Sequence, residues 1–133
     1  MLALEPNEYF SSERIAKSVC TNSVVVRRLL TKLQTAGWVT CQAGVHGGAR
    51  LNVNPRELTL LQVFDCVESG ALFRVHASHP ECPVACSVQV QLQQALERAE
   101  QGMRAELARV PLSRVTQRAK HEYQRRTKRM TQA

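Results

Sequence analysis

Aromatic residues make up only 5% of this chain of 133 residues, with one Trp, two Tyr and three Phe. A core short of rings must be built from Leu, Val and Ala, which favours packed helices over a large β-sandwich. No apolar run approaches the roughly 20 residues that a membrane span needs, and no signal-peptide pattern precedes the cysteines. The expectation is a cytoplasmic chain. The acids are scattered, so no two carboxylates suggest an acid–base pair. Neither a P-loop nor a dinucleotide-binding glycine fingerprint is found. Cys82 and His76 supply the residue types of a Cys–His hydrolase, but no oxyanion donors or substrate cleft are evident. The chain is therefore not expected to be an enzyme.

What the chain does have is positive charge, +7 overall with a pI near 9.7. Residues 11–53 hold six Lys/Arg against one acid, and residues 114–133 hold seven against one. The stretch 54–113 between them is mildly acidic, with five bases against seven acids. Such a balance suits a polyanionic partner. For residues 120–133 taken alone, the simplest expectation is a solvated, disordered basic tail. The five cysteines, Cys20, Cys41, Cys66, Cys82 and Cys86, are odd in number and irregular in spacing. In a reducing compartment they are core fillers, metal ligands or redox sensors. Cys20, Cys41 and Cys66 sit inside predicted elements and are expected to pack.

Ser11 and Ser12 are good N-caps, and Ile15, Ala16 and Val19 follow at helical spacing, predicting a short helix over 12–19. Cys20-Thr21-Asn22 is a tight connection. A second helix runs from Ser23 to about Ala36, capped by Asn22 or Ser23. Val26, Leu29, Leu30 and Leu33 form its apolar stripe, and Arg27, Arg28 and Lys32 its other face. Gly37 ends it. Residues 38–42 and 50–53 read as two strands of a hairpin around the glycine-rich turn 44–48. Thr59 caps a third helix that ends at Gly70. A long amphipathic helix runs from about Val84 to Val110 and stops at Pro111, with a weak short helix possible beyond.

Helix, short turn and second helix with a basic outer face make a helix-turn-helix pattern. Such a second helix enters the major groove with its first residues at base edges, where Arg holds guanine bidentately. A glycine-tipped hairpin can bring backbone amides and His46 to phosphates or the minor groove. The competing reading is a helical hairpin with a solvated basic face, and a winged helix can also serve protein or RNA contact. The hairpin directly after the second helix favours DNA.

The runs Ser11-Ser12-Glu13-Arg14-Ile15-Ala16, Thr21-Asn22-Ser23-Val24-Val25-Val26-Arg27-Arg28-Leu29-Leu30, Leu33-Gln34-Thr35-Ala36-Gly37-Trp38-Val39 and Gly44-Val45-His46-Gly47-Gly48 resemble the BadM-type (Rrf-two) family of bacterial winged-helix regulators. Leu58 to Val63 and the later long helix fit the same pattern. The resemblance implies a homodimer that binds a dyad operator, usually as a repressor. On it, DNA would be met by Asn22, Ser23, Val24, Arg27, Arg28 and Lys32, and by the wing at His46, Gly47, Gly48 and Arg50. It also implies a longer first helix, of which Met1 to Leu4 would be the last turn. Val24 stands where cluster-binding members often have a polar residue, so no base preference is carried over.

Members that sense iron, nitric oxide or redox state hold an iron–sulfur cluster on three cysteines before the long helix. The equivalent loop here has two, Cys82 and Cys86, and resembles a cluster-free branch in which Leu72 to His76 precedes Cys82-Pro83-Val84. His76, His79, Cys82 and Cys86 are donors that suit tetrahedral zinc, or a cluster with an outside fourth ligand. Cys82 near a helix start could instead be a redox thiol. A loop without any cofactor is the simplest alternative. In the long helix, Val88, Leu92, Leu96, Met103 and Leu107 recur at three-four spacing, and a second copy of the chain is the expected cover. The fold class is mainly α with a small β-hairpin wing. Residues 1–70 form the winged helix-turn-helix, 71–86 a sensor-like loop and 87–119 the dimerisation region.

Overall fold

The computed structural model describes residues 1–44, 47–68, 70, 72–73 and 83–131. Its elements are α1 (Ser12–Ser18), α2 (Ser23–Thr35), β1 (Val39–Gln42), β2 (Gly48–Leu51), α3 (Leu60–Val67), α4 (Pro83–Ala108) and α5 (Leu112–Thr131). Local chemistry sets the helix starts. The Ser11 hydroxyl accepts from the Arg14 N–H at 3.1 Å, and the Asn22 side chain from the Val24 N–H at 2.8 Å. Each satisfies a donor that the helix itself leaves unpaired. Thr59 and Gln62 form a reciprocal capping box at α3. Between α1 and α2, Cys20 takes the left-handed φ of 53° that closes the turn. Gly37, at φ 78°, turns the chain out of α2 towards the hairpin.

β1 and β2 pair antiparallel, with Val39 opposite Leu51 and Gln42 opposite Gly48. The second strand therefore starts two residues before the predicted 50–53. Phe10 accounts for the shift. Its N–H donates to the Ala49 carbonyl at 3.0 Å, and the Ala49 N–H donates back at 2.9 Å. The backbones come so close that a Cβ at Gly48 would lie 2.5 Å from the Phe10 carbonyl oxygen. Phe10 is the largest fully buried side chain among the described residues.

Ala16, Val26, Leu30, Val39 and Ala49 form the core, with Ile15, Leu33 and Leu51 packed against it. Burial of a side chain such as Val26 or Leu30 contributes about 1.5–3 kcal/mol. α2 is thereby fixed on α1 and the hairpin. Leu29, predicted on the buried stripe, is instead exposed. The buried strip is narrower than the apolar pattern, because the hairpin covers α2 from one side only. α3 ends at Glu68 rather than Gly70, where the backbone becomes extended. A backbone bridge joins the start of α3 to the junction of α4 and α5: the Leu60 N–H donates to the Val110 carbonyl and the Leu112 N–H to the Leu58 carbonyl. A disordered tail is expected from residue 120. The helix α5 continues to Thr131, and no Pro or Gly interrupts 112–131. Cys20 and Cys41 are likewise exposed rather than packed, one in the turn and one on the hairpin. Cys66 is half-buried, and its thiol donates to the Lys32 carbonyl. Among the described residues, no helix is long and apolar enough to cross a membrane.

Candidate nucleic-acid interface

Anchoring Val26 and Leu30 inward leaves the opposite side of α2 facing solvent. Asn22, Val24, Val25, Arg27, Arg28 and Lys32 are all exposed, and Ser23 is half-buried. Val24 is 55% exposed at the helix start, where its apolar surface has no structural use inside the domain. Arg27 is drawn back along its own helix. Its guanidinium donates to the Ser23 carbonyl at 3.3 Å and the Ser23 hydroxyl at 3.0 Å. It also stands 3.7 Å from Glu13 on α1. The Glu13 carboxyl is held below its ordinary value, chiefly by its own backbone N–H, then by the Ser12 hydroxyl, with a smaller contribution from Arg27. Glu13 therefore stays ionised and opposes Arg27.

Lys32 stands apart from the two arginines. Its ammonium donates to the Val67 carbonyl at the end of α3. A cation there also complements the helix dipole. Arg50 lies over the Tyr9 ring at 5.0 Å, at the base of the hairpin. Gly47 and Gly48 are places of close backbone approach within the chain. A Cβ on Gly47 would lie 2.2 Å from the Gln42 carbonyl oxygen. His46 lies outside the described residues. Between α2 and the hairpin runs a cleft of about 300 Å³, lined by Ser12, Arg27, Thr31, Gln42 and Gly48 among others. Val25 and Thr31 on the outer face were not singled out from sequence. Their spacing from Arg28, three residues on either side, is the signal that could have found them.

Of the possible metal or redox set, Cys86 is described, half-buried in the first turn of α4. His76, His79 and Cys82 lie outside the described residues. Among the described residues, no three His, Cys, Asp or Glu side chains converge on one point. The long helix divides in two. Val88 and Leu92 are 60% and 47% exposed, and Val84 before them is 72% exposed. Leu96, Met103 and Leu107 are half-buried. Arg104 holds both oxygens of Asp65 on α3, at 2.8 and 2.9 Å. The second half of α4 is thus tied to the winged unit.

Comparisons with known proteins identify the family. The family model described as Rrf2, iron-dependent transcriptional regulator, matches residues 1–118. YwnA of Bacillus subtilis (strain 168), named as a candidate HTH-type transcriptional regulator, is 42% identical over 104 residues, 77% of each chain. A solved structure described as a candidate DNA-binding protein is 38% identical, with a TM-score of 0.64 over 84% of this chain and 88% of that one. A candidate transcriptional regulator from Lactobacillus plantarum has a TM-score of 0.73 over 99% of this chain and 91% of that one. At 18% identity it supports the fold alone.

Proposed function

Because the chain belongs to the Rrf2 family of DNA-binding transcription regulators, we propose that it is a homodimeric repressor whose two α2 helices read the half-sites of a dyad operator. The observation that carries this is the outer face of α2. A rigid, core-anchored helix presents Asn22, Val24, Arg27 and Arg28 to solvent at its first two turns. Arg28 is suited to bidentate contact with guanine, and Val24 to the methyl group of thymine. Arg27 must leave Ser23 and Glu13 to reach DNA, so it suits a phosphate more than a base. The hairpin follows as a wing, with Gly47, Gly48 and the segment containing His46 towards the backbone. Lys32 and Arg50 brace α2 and the wing from behind.

One winged helix makes few contacts, and pairing two of them multiplies affinity. The bare apolar strip Val84, Val88 and Leu92 on α4 is the surface for that pairing. Recognition helices about 34 Å apart then meet successive major grooves on one side of the duplex. Residues 71–86, leading into α4, would carry the signal: thiol oxidation, a metal or a small ligand.

The test is duplex binding by Arg27→Ala and Arg28→Ala beside the parent. Arg28→Ala should lose about 1–3 kcal/mol of preference for the selected sequence over unrelated duplex. Arg27→Ala should weaken both alike, with the dimer intact in each. Unchanged affinity and preference in both variants would remove α2 from the interface.

A further inference from the structure

α5 differs in charge from the helix before it. Over 112–131 it carries seven Lys/Arg against the single acid Glu122. α4, over 83–108, carries two bases against three acids. The charges on α5 are also arranged. Arg114, Arg118, His121 and Arg125 follow one another at four, three and four residues, which sets them on one face of the helix. All four are exposed. Across the helix from them, Leu112 and Thr116 are half-buried. Leu112 lines an apolar cavity with Leu33, Trp38 and Leu58, while Ala119 and Lys120, both exposed, border a cleft with Phe10, Arg14 and Glu5. The fold therefore orients the cationic face outward.

A helix that merely needs a wet face usually mixes signs, because like charges at i and i+4 destabilise it by a few tenths of a kcal/mol per pair. Arg114 with Arg118 has that spacing. Glu122, four residues after Arg118, is the one acid set against them. The surplus positive charge is complementary to a polyanion. The stripe from Arg114 to Arg125 is about 16 Å long at 1.5 Å per residue. That equals the rise of about five nucleotides of one DNA strand.

We infer that the outward face of α5 is a second DNA-binding surface, which holds the phosphate backbone of duplex DNA without regard to sequence. This rests on the DNA-binding role proposed above and adds to it a separate contact remote in sequence from α2. α2 would set which site is chosen, and α5 how strongly any duplex is held.

The experiment uses the full chain and two duplexes, one selected by the parent protein from random sequence and one unrelated. Affinity is measured against salt for the parent, for R114Q/R118Q/R125Q and for R114K/R118K/R125K. The glutamine variant should weaken on both duplexes by the same factor. Its slope of log affinity against log salt should be shallower by up to about 0.9 for each phosphate no longer neutralised. The lysine variant should keep the parental slope, and both should retain the parental helix content and oligomeric state. Unchanged affinity and slope in the glutamine variant would overturn the inference. So would a flattened slope in a folded lysine variant, or parental binding to structured RNA much tighter than to duplex. Failure of the α2 reading looks different: the parent would select no preferred sequence, while the effect of the α5 variants on unrelated duplex could still be read.

Discussion

α2 and α4 carry apolar residues at the same three-four spacing and use them in opposite ways. In α2 the spacing is spent inside the domain: Val26 and Leu30 are 5% and 9% exposed, under the hairpin and α1. Its outer face is left to Arg27, Arg28 and Asn22. In the first half of α4 the apolar positions are themselves outside, with Val88 60% exposed. Its second half is tied to α3 through Arg104 and Asp65. Periodicity therefore identifies a face, and what covers that face depends on elements distant in sequence. A face covered from within leaves its opposite side for a ligand, whereas the bare apolar face of α4 is the one proposed to meet another copy.

The largest expected effect breaks the α4 half of that contrast. Leu92→Glu puts a charge into the proposed pairing strip. It should give monomers by sedimentation and lower affinity for the selected duplex by about 100-fold or more, with the helix content unchanged. A dimer that persists would put the pairing surface elsewhere. Arg28→Ala is the reciprocal change, and it should cost sequence preference without altering the dimer.

Next in size is Gly48→Ala, which tests whether the wing is held against the start of α1. At φ 153° the new Cβ would meet the Phe10 carbonyl and the Ser11 nitrogen, both backbone atoms. A loss of about 1–3 kcal/mol in denaturant unfolding is expected. A neutral outcome would mean that the Phe10–Ala49 bridge yields easily.

The smallest effect sharpens the account of α2. Glu13→Gln removes the carboxylate that restrains Arg27, and should tighten duplex binding by up to about fivefold. Acid should act in the same direction. Because the Glu13 carboxyl is depressed in the folded chain, its stabilising effect is present above its unfolded pKa and is lost as pH falls through the lower folded value. The parent and Glu13→Gln should therefore converge in duplex affinity only in the acid range. Equal affinity of the two at neutral pH would show that the pair imposes no restraint.

Much of the winged unit could be read in the sequence because its signals are local. Ser11, Asn22 and Thr59 cap the helices they precede, and Gly37 ends α2, through contacts within a few residues. The features that sequence missed depend on distance along the chain. Phe10 is buried because it bridges to Ala49, and Lys32 turns to Val67 because α3 ends there. Neither partner is marked by spacing. Leu29 shares the stripe of Leu30 yet is exposed, since the cover on α2 is one-sided. In α5, charge density argued for a loose tail, whereas a run without Pro or Gly and the half-buried Leu112 accompany a long helix. Of the proposed interface, Arg28 and Val24 were legible as exposed residues at a helix start. The restraint on Arg27 was not, since it needs Glu13 brought across from α1.

The most direct measurement is selection of preferred duplexes from a random library by the parent protein and by Arg28→Ala. The account predicts that the parent recovers an inverted repeat with half-sites about one helical turn apart, centre to centre. Arg28→Ala should recover the same spacing with relaxed preference at symmetric positions in both half-sites. Recovery of no preferred sequence by the parent, or an identical preference in both proteins, would contradict it.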